Sequence, residues 1–337
     1  MLKSNQLTIK DIARKLGVSV STVSRALKDH PDISDETKKL IKAFAEQVNY
    51  RPNALALSLR RQKTNTIGLI IPEIVHHFFS SVISGMEDLA YKEGYNIIIC
   101  QSNDNQHREA IALQTLIDHR VDGILVSLSK STQVFDHFID AIDSGIPLVF
   151  FDRAAESIGA DQVITDDFEG GLLATSHLIN RGCKNIIHLA APQHLLIGKN
   201  RREGFVKAHE NAGLPVREDR ILKCDTREEV LTMKHHILDL APQIDGIFAV
   251  NDSTAIAVIQ VLKENGFRIP QDIAVIGFGD GPNATVIEPA LTTIEQKGYD
   301  MGLEAVRLLL QRLNNPAAGF SYQTRIFKPT LTIRNSA

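Results

Sequence analysis

The chain has little cysteine and no long apolar run, and each shortage removes whole classes of protein. Its 337 residues hold 3 cysteines, Cys100, Cys183 and Cys224. They are widely spaced, form no Cys-x-x-Cys pattern and lie among apolar or charged neighbours. That argues against a disulfide scaffold and for reduced, structural thiols. No apolar stretch approaches the ~18 residues a membrane span needs. The opening Met-Leu-Lys-Ser-Asn-Gln lacks the apolar core of a secretion signal, so the expectation is a cytoplasmic protein with no membrane partner.

Signatures of catalysis are equally scarce. His76-His77 and His235-His236 are adjacent pairs without the spacing or third ligand of a metal site, and they read as solvated surface. Gly277-Phe-Gly-Asp-Gly281 is glycine-rich but is not the dinucleotide fingerprint. Sets of Ser, His and Asp arise by chance in a chain this long. The expectation is a protein that is not an enzyme and uses no metal or cofactor.

What is present is unevenly distributed. The formal net charge is -3, yet residues 1–62 hold 12 Lys+Arg against 6 Asp+Glu, leaving 25 against 34 for the rest. A basic head on an acidic body suits a polyanion partner at one end only. An apolar fraction of 43% with 23% charged residues is that of a soluble globular protein, and the length suits two or three domains.

In the head, Thr8 followed three residues later by Asp11 resembles a capping box, and Ile9, Ile12, Ala13 and Leu16 then fall at helical spacing. Gly17 ends that helix. Ser19 can cap a second, in which Val23, Ala26 and Leu27 form a narrow buried stripe and Val20, Ser21, Thr22, Ser24 and Arg25 remain outside it. Two short helices across a glycine turn make a helix-turn-helix. Small side chains let a helix sink into the major groove, where hydroxyls bond phosphates or bases and a guanidinium grips guanine. The alternative is a helical hairpin packed for stability alone. Ser34 can cap a third helix with Leu40, Ile41, Phe44, Ala45 and Val48 on one face, closing a headpiece over residues 1–50.

Residues 51–62 read two ways. Leu55, Leu57 and Leu59 alternate as in a strand, whereas Pro52 at a first helical position, with Leu55 and Leu59 one turn apart, suits a short helix. So few residues cannot hold a helix alone in water. A leucine among small residues followed by Arg60 and Arg61 has the chemistry of a minor-groove wedge, and an ordinary linker fits the composition as well.

Thr8-Ile-Lys-Asp-Ile-Ala13, Val18-Ser-Val-Ser-Thr-Val-Ser-Arg25, Tyr50-Arg-Pro-Asn-Ala54 and Ser58-Leu59 together resemble the LacI/GalR family of bacterial transcriptional regulators, and the similarity runs on to Pro329-Thr-Leu-Thr-Ile-Arg334. The resemblance implies that Val20, Ser21 and Arg25 read the major groove and that Leu59 wedges the minor groove at an operator centre. The candidate DNA contacts are Thr8, Ser19, Val20, Ser21, Thr22, Ser24, Arg25, Asn53, Ala56 and Leu59. Leu57 departs from the family, whose members usually carry a polar residue there.

From Thr66 short apolar runs alternate with amphipathic segments. Thr66–Ile71, Asn96–Cys100, Gly123–Val126 and Leu148–Phe151 read as buried parallel strands, separated by stripes such as Val82, Ile83, Met86, Leu89 and Ala90. The rhythm repeats with strand-like Asn185–Leu189, Arg220–Lys223, Gly246–Val250 and Ile273–Gly277, and helices around Gly171–Arg181, Arg201–Asn211, Arg227–Leu240 and Asp252–Asn265. Two successive βα arrays imply two doubly wound lobes with a cleft at the carboxyl ends of their strands.

The fold class expected is thus an N-terminal all-α helix-turn-helix headpiece plus an α/β two-lobed effector domain with parallel sheets, which the resemblance makes periplasmic-binding-protein-like (type I). The resemblance places an N-lobe at about 63–161 and 293–326 and a C-lobe at about 162–292 and 327–337.

A ligand in the cleft would meet residues just after strand ends: Phe78, Phe79, Asp152, Arg153, Arg201, Asn251, Asp252 and Asp280. Aromatic, carboxylate, amide and guanidinium groups together suit a sugar or sugar derivative, whose hydroxyls pair with both donors and acceptors. Any single acid here can instead be a helix cap or a surface ion pair, and Asp166 and Asp167 read first as caps. Family members carry binding residues matching Asp152, Arg201 and Asn251. Many have aspartate where this chain has Gly279, the acid coming one position later at Asp280.

The expected function is an effector-responsive transcriptional regulator, a repressor of carbohydrate-utilisation genes that binds a palindromic double-stranded DNA operator as a homodimer. The chain ends at Ala337 without leucine heptads, so a dimer suffices. The rivals are a solute-binding component of sugar uptake, which the head does not fit, a nucleotide-dependent oxidoreductase, suggested only by the βα rhythm, and a regulator answering to a purine or protein co-repressor.

Overall fold

A computed structural model of the chain describes residues 7–50, 63–155, 157–315 and 321–337. They fall into two compact units, Met1–Thr64 and Asn65–Ala337. Asn53, Ala56, Leu57 and Leu59, with the rest of the expected hinge, lie outside the described residues.

The first unit is three helices, α1 (Ile9–Leu16), α2 (Val20–Ala26) and α3 (Asp35–Gln47). Their starts follow from side-chain chemistry. The Thr8 backbone N–H and hydroxyl both donate to the Asp11 carboxylate, at 3.0 and 2.6 Å. Ser19 and Ser34 accept from the backbone N–H of Thr22 and Thr37, at 3.0 and 3.3 Å. Gly17 closes α1 in the left-handed region, φ +64°. Ile12, Ala13, Val23, Ala26, Ile41 and Ala45 form the core. Leu40, expected beside them, is 56% exposed. The inward face of α3 is set by Ile41 and Ala45, one turn apart, and Leu40 stands one position round the helix from that row.

The second unit holds two sheets of one plan. The first runs through β1 (Thr66–Ile71), β2 (Asn96–Gln101), β3 (Gly123–Val126), β4 (Leu148–Phe151) and β5 (Asp161–Thr165), and is joined late by β11 (Thr324–Phe327), in the order β11-β5-β4-β3-β1-β2. The second comprises β6 (Ile186–Ala190), β7 (Ile221–Lys223), β8 (Gly246–Ala249), β9 (Ala274–Phe278), β10 (Thr292–Glu295) and β12 (Thr330–Thr332), in the order β12-β10-β9-β8-β6-β7. Every pairing is parallel except that of β10 with β12.

Sheet membership moves the lobe boundaries. The expected crossings near Asp161 and Thr292 fall inside the chain's path through β5 and β10. β5 completes the first sheet by pairing with β4 and β11, and β10 completes the second by pairing with β9 and β12. The chain crosses after Thr165, after Glu295 and between Phe327 and Thr330. Strand β2, expected buried, is the outer strand of its sheet, with Ile98 and Ile99 40% and 42% exposed. The helix expected over Arg227–Leu240 is two, Arg227–Thr232 and Lys234–Leu240, meeting at Met233.

In each lobe two helices cross through glycines. Helix α4 (His77–Lys92) packs on α13 (Gly298–Asn314), where a Cβ on Gly85 would lie 2.1 Å from the Tyr299 carbonyl oxygen and one on Gly302 2.1 Å from that of Val82. Helices α7 (Asp167–Asn180) and α8 (Leu196–Asn211) do the same in the C-lobe, with Gly171 against Arg201 O at 2.3 Å and Gly204 against Phe168 O at 2.2 Å. Backbones this close admit no side chain. The α7–α8 crossing is also what carries Arg201 to the cleft.

Candidate functional site

Two surfaces carry chemistry. On the first unit, Val23 and Ala26 of α2 are fully buried, which turns Val20, Ser21 and Arg25 outward. The Ser19 hydroxyl lies 2.7 Å from that of Ser21 and 2.8 Å from that of Thr22, so the first turn presents a linked set of hydroxyls. Among the described residues Arg25 is met at 3.8 Å by the exposed Asp32, an ion pair weak enough to yield to a stronger anion. Thr8 is engaged with Asp11, and Ser24 is half-buried. An exposed cation and hydroxyls on a short helix braced by two others can enter a groove of duplex DNA.

In the second unit the carboxyl ends of both sheets face a cleft. Arg201 is held on three sides: Nε and Nη2 lie 2.8 and 2.7 Å from Asp167 Oδ1, Nη1 donates to the Val250 carbonyl at 2.6 Å, and the guanidinium lies 3.6 Å from the centre of the Phe278 ring. Asp152, at the end of β4, adopts the left-handed conformation, φ +58°, which Asp tolerates better than most residues. Burial raises the Asp152 carboxyl above its usual range against the pull of Arg153 and Arg201. Burial raises Asp167 to about 6 despite Arg201, with the nearby charge of Asp152 adding to the rise. Two buried acids beside one fixed guanidinium can both accept from and donate to a hydroxylated ligand.

The other candidates are placed differently. Arg153 donates to Asp104, and Phe79 sits in the N-lobe core against Phe151, with ring centres 6.5 Å apart. The Asn251 amide is spent within the lobe, accepting from Thr254 N–H at 2.9 Å and donating to the Asp225 carbonyl at 2.8 Å. Asp252 accepts from the Thr293 hydroxyl at 2.5 Å and from Gly281 N–H at 3.0 Å, and burial raises its carboxyl. Asp280 and Phe78 line a cavity of about 360 Å³ with His77, Gly279 and Lys297. Asp280 is also paired with Arg334 at 2.6 Å. Gly279 has φ +136°, a conformation that favours glycine, so an aspartate there would be strained.

Sequence reasoning passed over Asp167, taking it with Asp166 as a cap. Asp166 alone accepts from Glu169 N–H, at 3.0 Å, which leaves Asp167 to turn inward to Arg201. The signal was the doubled acid, one more than a cap requires. Lys130, Asp104 and Asp225, after β3, β2 and β7, were also missed. The strand-end rule that found the others would have found them.

Comparison with known proteins agrees with this architecture. Residues 8–53 match the family model described as "Bacterial regulatory proteins, lacI family", and residues 64–326 match "Periplasmic binding proteins and sugar binding domain of LacI family". The chain is 34% identical over 335 residues to the HTH-type transcriptional repressor PurR of Vibrio parahaemolyticus serotype O3:K6, covering 98% of each. It is 33% identical over 330 residues to that of Actinobacillus pleuropneumoniae serotype 3, again covering 98% of each.

Among solved structures, a periplasmic binding protein/LacI transcriptional regulator from Alkaliphilus metalliredigens complexed with D-xylulofuranose aligns with TM-score 0.71 and 29% identity over 81% of this chain and 98% of that one. The lac repressor dimer bound to operator and the anti-inducer ONPF shares the fold, with TM-score 0.86 and 22% identity over 98% and 99% of the two chains. Among the described residues no helix is long and apolar enough to cross a membrane. With its three-helix head, its two sheets of one plan and these matches over nearly its whole length, the chain belongs to the LacI family of DNA-binding transcriptional regulators.

Proposed function

We propose that this protein is an effector-responsive repressor that binds a palindromic operator as a homodimer and takes a sugar or sugar derivative in the cleft between its lobes. The observation that carries the effector reading is the Arg201–Asp167–Asp152 set, buried yet rich in groups that pair with hydroxyls. The "sugar binding domain" description of the matched family and the D-xylulofuranose complex support it. The exposed β2 edge, with Ile98 and Ile99, offers a second copy an apolar strip to cover, and a two-fold protein requires a two-fold site.

A second reading, a purine co-repressor, is favoured by the PurR relatives at 33–34% identity. A thermal-shift screen separates the two, because a ligand that binds only the folded chain raises its melting temperature by mass action. Monosaccharides, disaccharides and their phosphates are expected to shift the melt. A response to hypoxanthine or guanine with none to sugars favours the second reading.

For the head, Arg25→Ala is expected to lower operator affinity by about 10- to 100-fold, the worth of one bidentate guanine contact. Fluorescence anisotropy on operator and random duplexes measures it, and unchanged discrimination removes Arg25 from the reading surface. Arg201→Ala is expected to abolish the effector response while DNA affinity stays intact.

A further inference from the structure

We infer that Lys130 and Asp225 form an ionic latch that ties the two lobes together in their closed arrangement. Lys130 belongs to the N-lobe and Asp225 to the C-lobe, and Lys130 Nζ lies 2.8 Å from Asp225 Oδ2. The C-lobe also engages Lys130 at its backbone, His194 Nε2 lying 2.6 Å from its carbonyl oxygen. One N-lobe residue is thus gripped at both ends by the opposite lobe.

The position gives the contact leverage. The chain crosses between lobes beside β5, β10, β11 and β12, which occupy one edge of each sheet. Asp225 follows β7, the strand at the opposite edge, and Lys130 follows β3, the fourth strand from the crossing edge of its sheet. A bond far from the crossings resists opening more than the same bond beside them, because the lobes separate most at that end.

Both partners are prepared. The loop carrying Lys130 is pinned to its own lobe by two carboxylates. Asp104 accepts from Lys130 N–H at 3.0 Å, and the fully buried Glu109 accepts from Ser129 N–H at 2.6 Å and from the Thr132 hydroxyl at 2.7 Å. On the other side the Asp225 carbonyl takes the Asn251 amide, and Lys223 Nζ lies 3.5 Å from its carboxylate. The Asp225 side chain is 4% exposed and that of Lys130 26%, so water screens the pair less than it would a surface pair. Preorganisation of both loop backbones reduces the ordering left to be done on closing.

The latch stands on geometry, and its effect on DNA stands on the function proposed above. Spin labels at Gln133→Cys and Glu228→Cys, both exposed positions on opposite lobes, in a Cys100→Ser background of the full chain report lobe separation by pulsed electron resonance. The ligand-free protein is expected to give a short, narrow distance distribution. Lys130→Met and Asp225→Asn are each expected to lower the closed-to-open ratio by about tenfold, between the values for exposed and buried pairs. The double variant is expected to fall no further than the single ones.

An unchanged distribution in Lys130→Met, additive losses, or a ligand-free protein already open overturns the latch. Operator affinity measured on the same variants keeps the two ideas apart. If the distances shift while affinity stays constant, the latch stands and the coupling of cleft to DNA falls.

Discussion

The two lobes are one design executed twice, and the places where they differ are more instructive than the repeat. Both have six strands in the same order, and in both two helices cross through a reciprocal pair of glycines. Their outer strands diverge. The N-lobe ends on β2, six residues long, with two exposed isoleucines at its middle. The C-lobe ends on β7, three residues long and closing on the exposed Lys223. A short strand ending in lysine blunts an edge against unwanted pairing, whereas a long apolar one invites a partner. Under the proposed dimer, the N-lobe edge is therefore the one expected to take a partner.

The shared device gives the largest expected effect. Gly85→Ala and Gly204→Ala each place a methyl about 2 Å from a backbone oxygen, which only a backbone shift can relieve. Each is expected to cost about 3 kcal/mol, measured by urea unfolding. A large loss in one lobe and none in the other would break the equivalence.

The divergent edges come next. Ile98→Asp is expected to weaken self-association about 100-fold, or roughly 2.7 kcal/mol, in sedimentation equilibrium. Lys223→Ala is expected to leave it unchanged, and equal effects would erase the distinction between the edges.

The smallest effect concerns the cores. Strand β1 is apolar from Ile67 to Ile71, while β6, in the same place in its sheet, carries the fully buried His188. Its ring stacks on Phe248 at 4.5 Å, and burial lowers its pKa from 6.5 to about 4. Between those values the unfolded chain binds the proton and the folded chain does not, so stability falls as the pH drops through that window. From about pH 7 to about pH 4.5, His188→Phe is expected to lose about 2 kcal/mol less than the parent. Asp167, raised to about 6, acts with the opposite sign, but it is common to both chains and cancels in the comparison. Equal acid sensitivity in the two proteins would show that burial does not lower the imidazole pKa on folding.

Much of this plan was legible in the residues themselves. β1, β3 and β4 are continuous apolar runs bounded by polar residues or proline, and they begin and end where the sequence says. β5, β11 and β12 were not legible, because polar residues hold them through distant partners. Asp161 takes the Arg312 guanidinium at 2.6 Å and Gln323 N–H at 2.8 Å, contacts spanning more than 150 residues. Helix α13 carries an apolar stripe of Met301, Ala305, Val306 and Leu309, but Gly298 and Gly302 look like breaks until the helix they press against is known. In the cleft, strand ends located the candidate residues. Which of them face a ligand and which are consumed as caps, as Asn251 is, depended on neighbours that no local pattern contains.

Helix α13 and strand β11 come from the last tenth or so of the chain, yet they complete the core and sheet of the lobe that begins at Thr66. On the ribosome, that first lobe must wait with an uncovered apolar flank until almost the whole polypeptide has been made. The second lobe waits as well, for β12 and for Ser336 and Ala337, which are buried in it. Both halves therefore close together at the end, the first on β11 and the second on β12 with the buried Ser336 and Ala337.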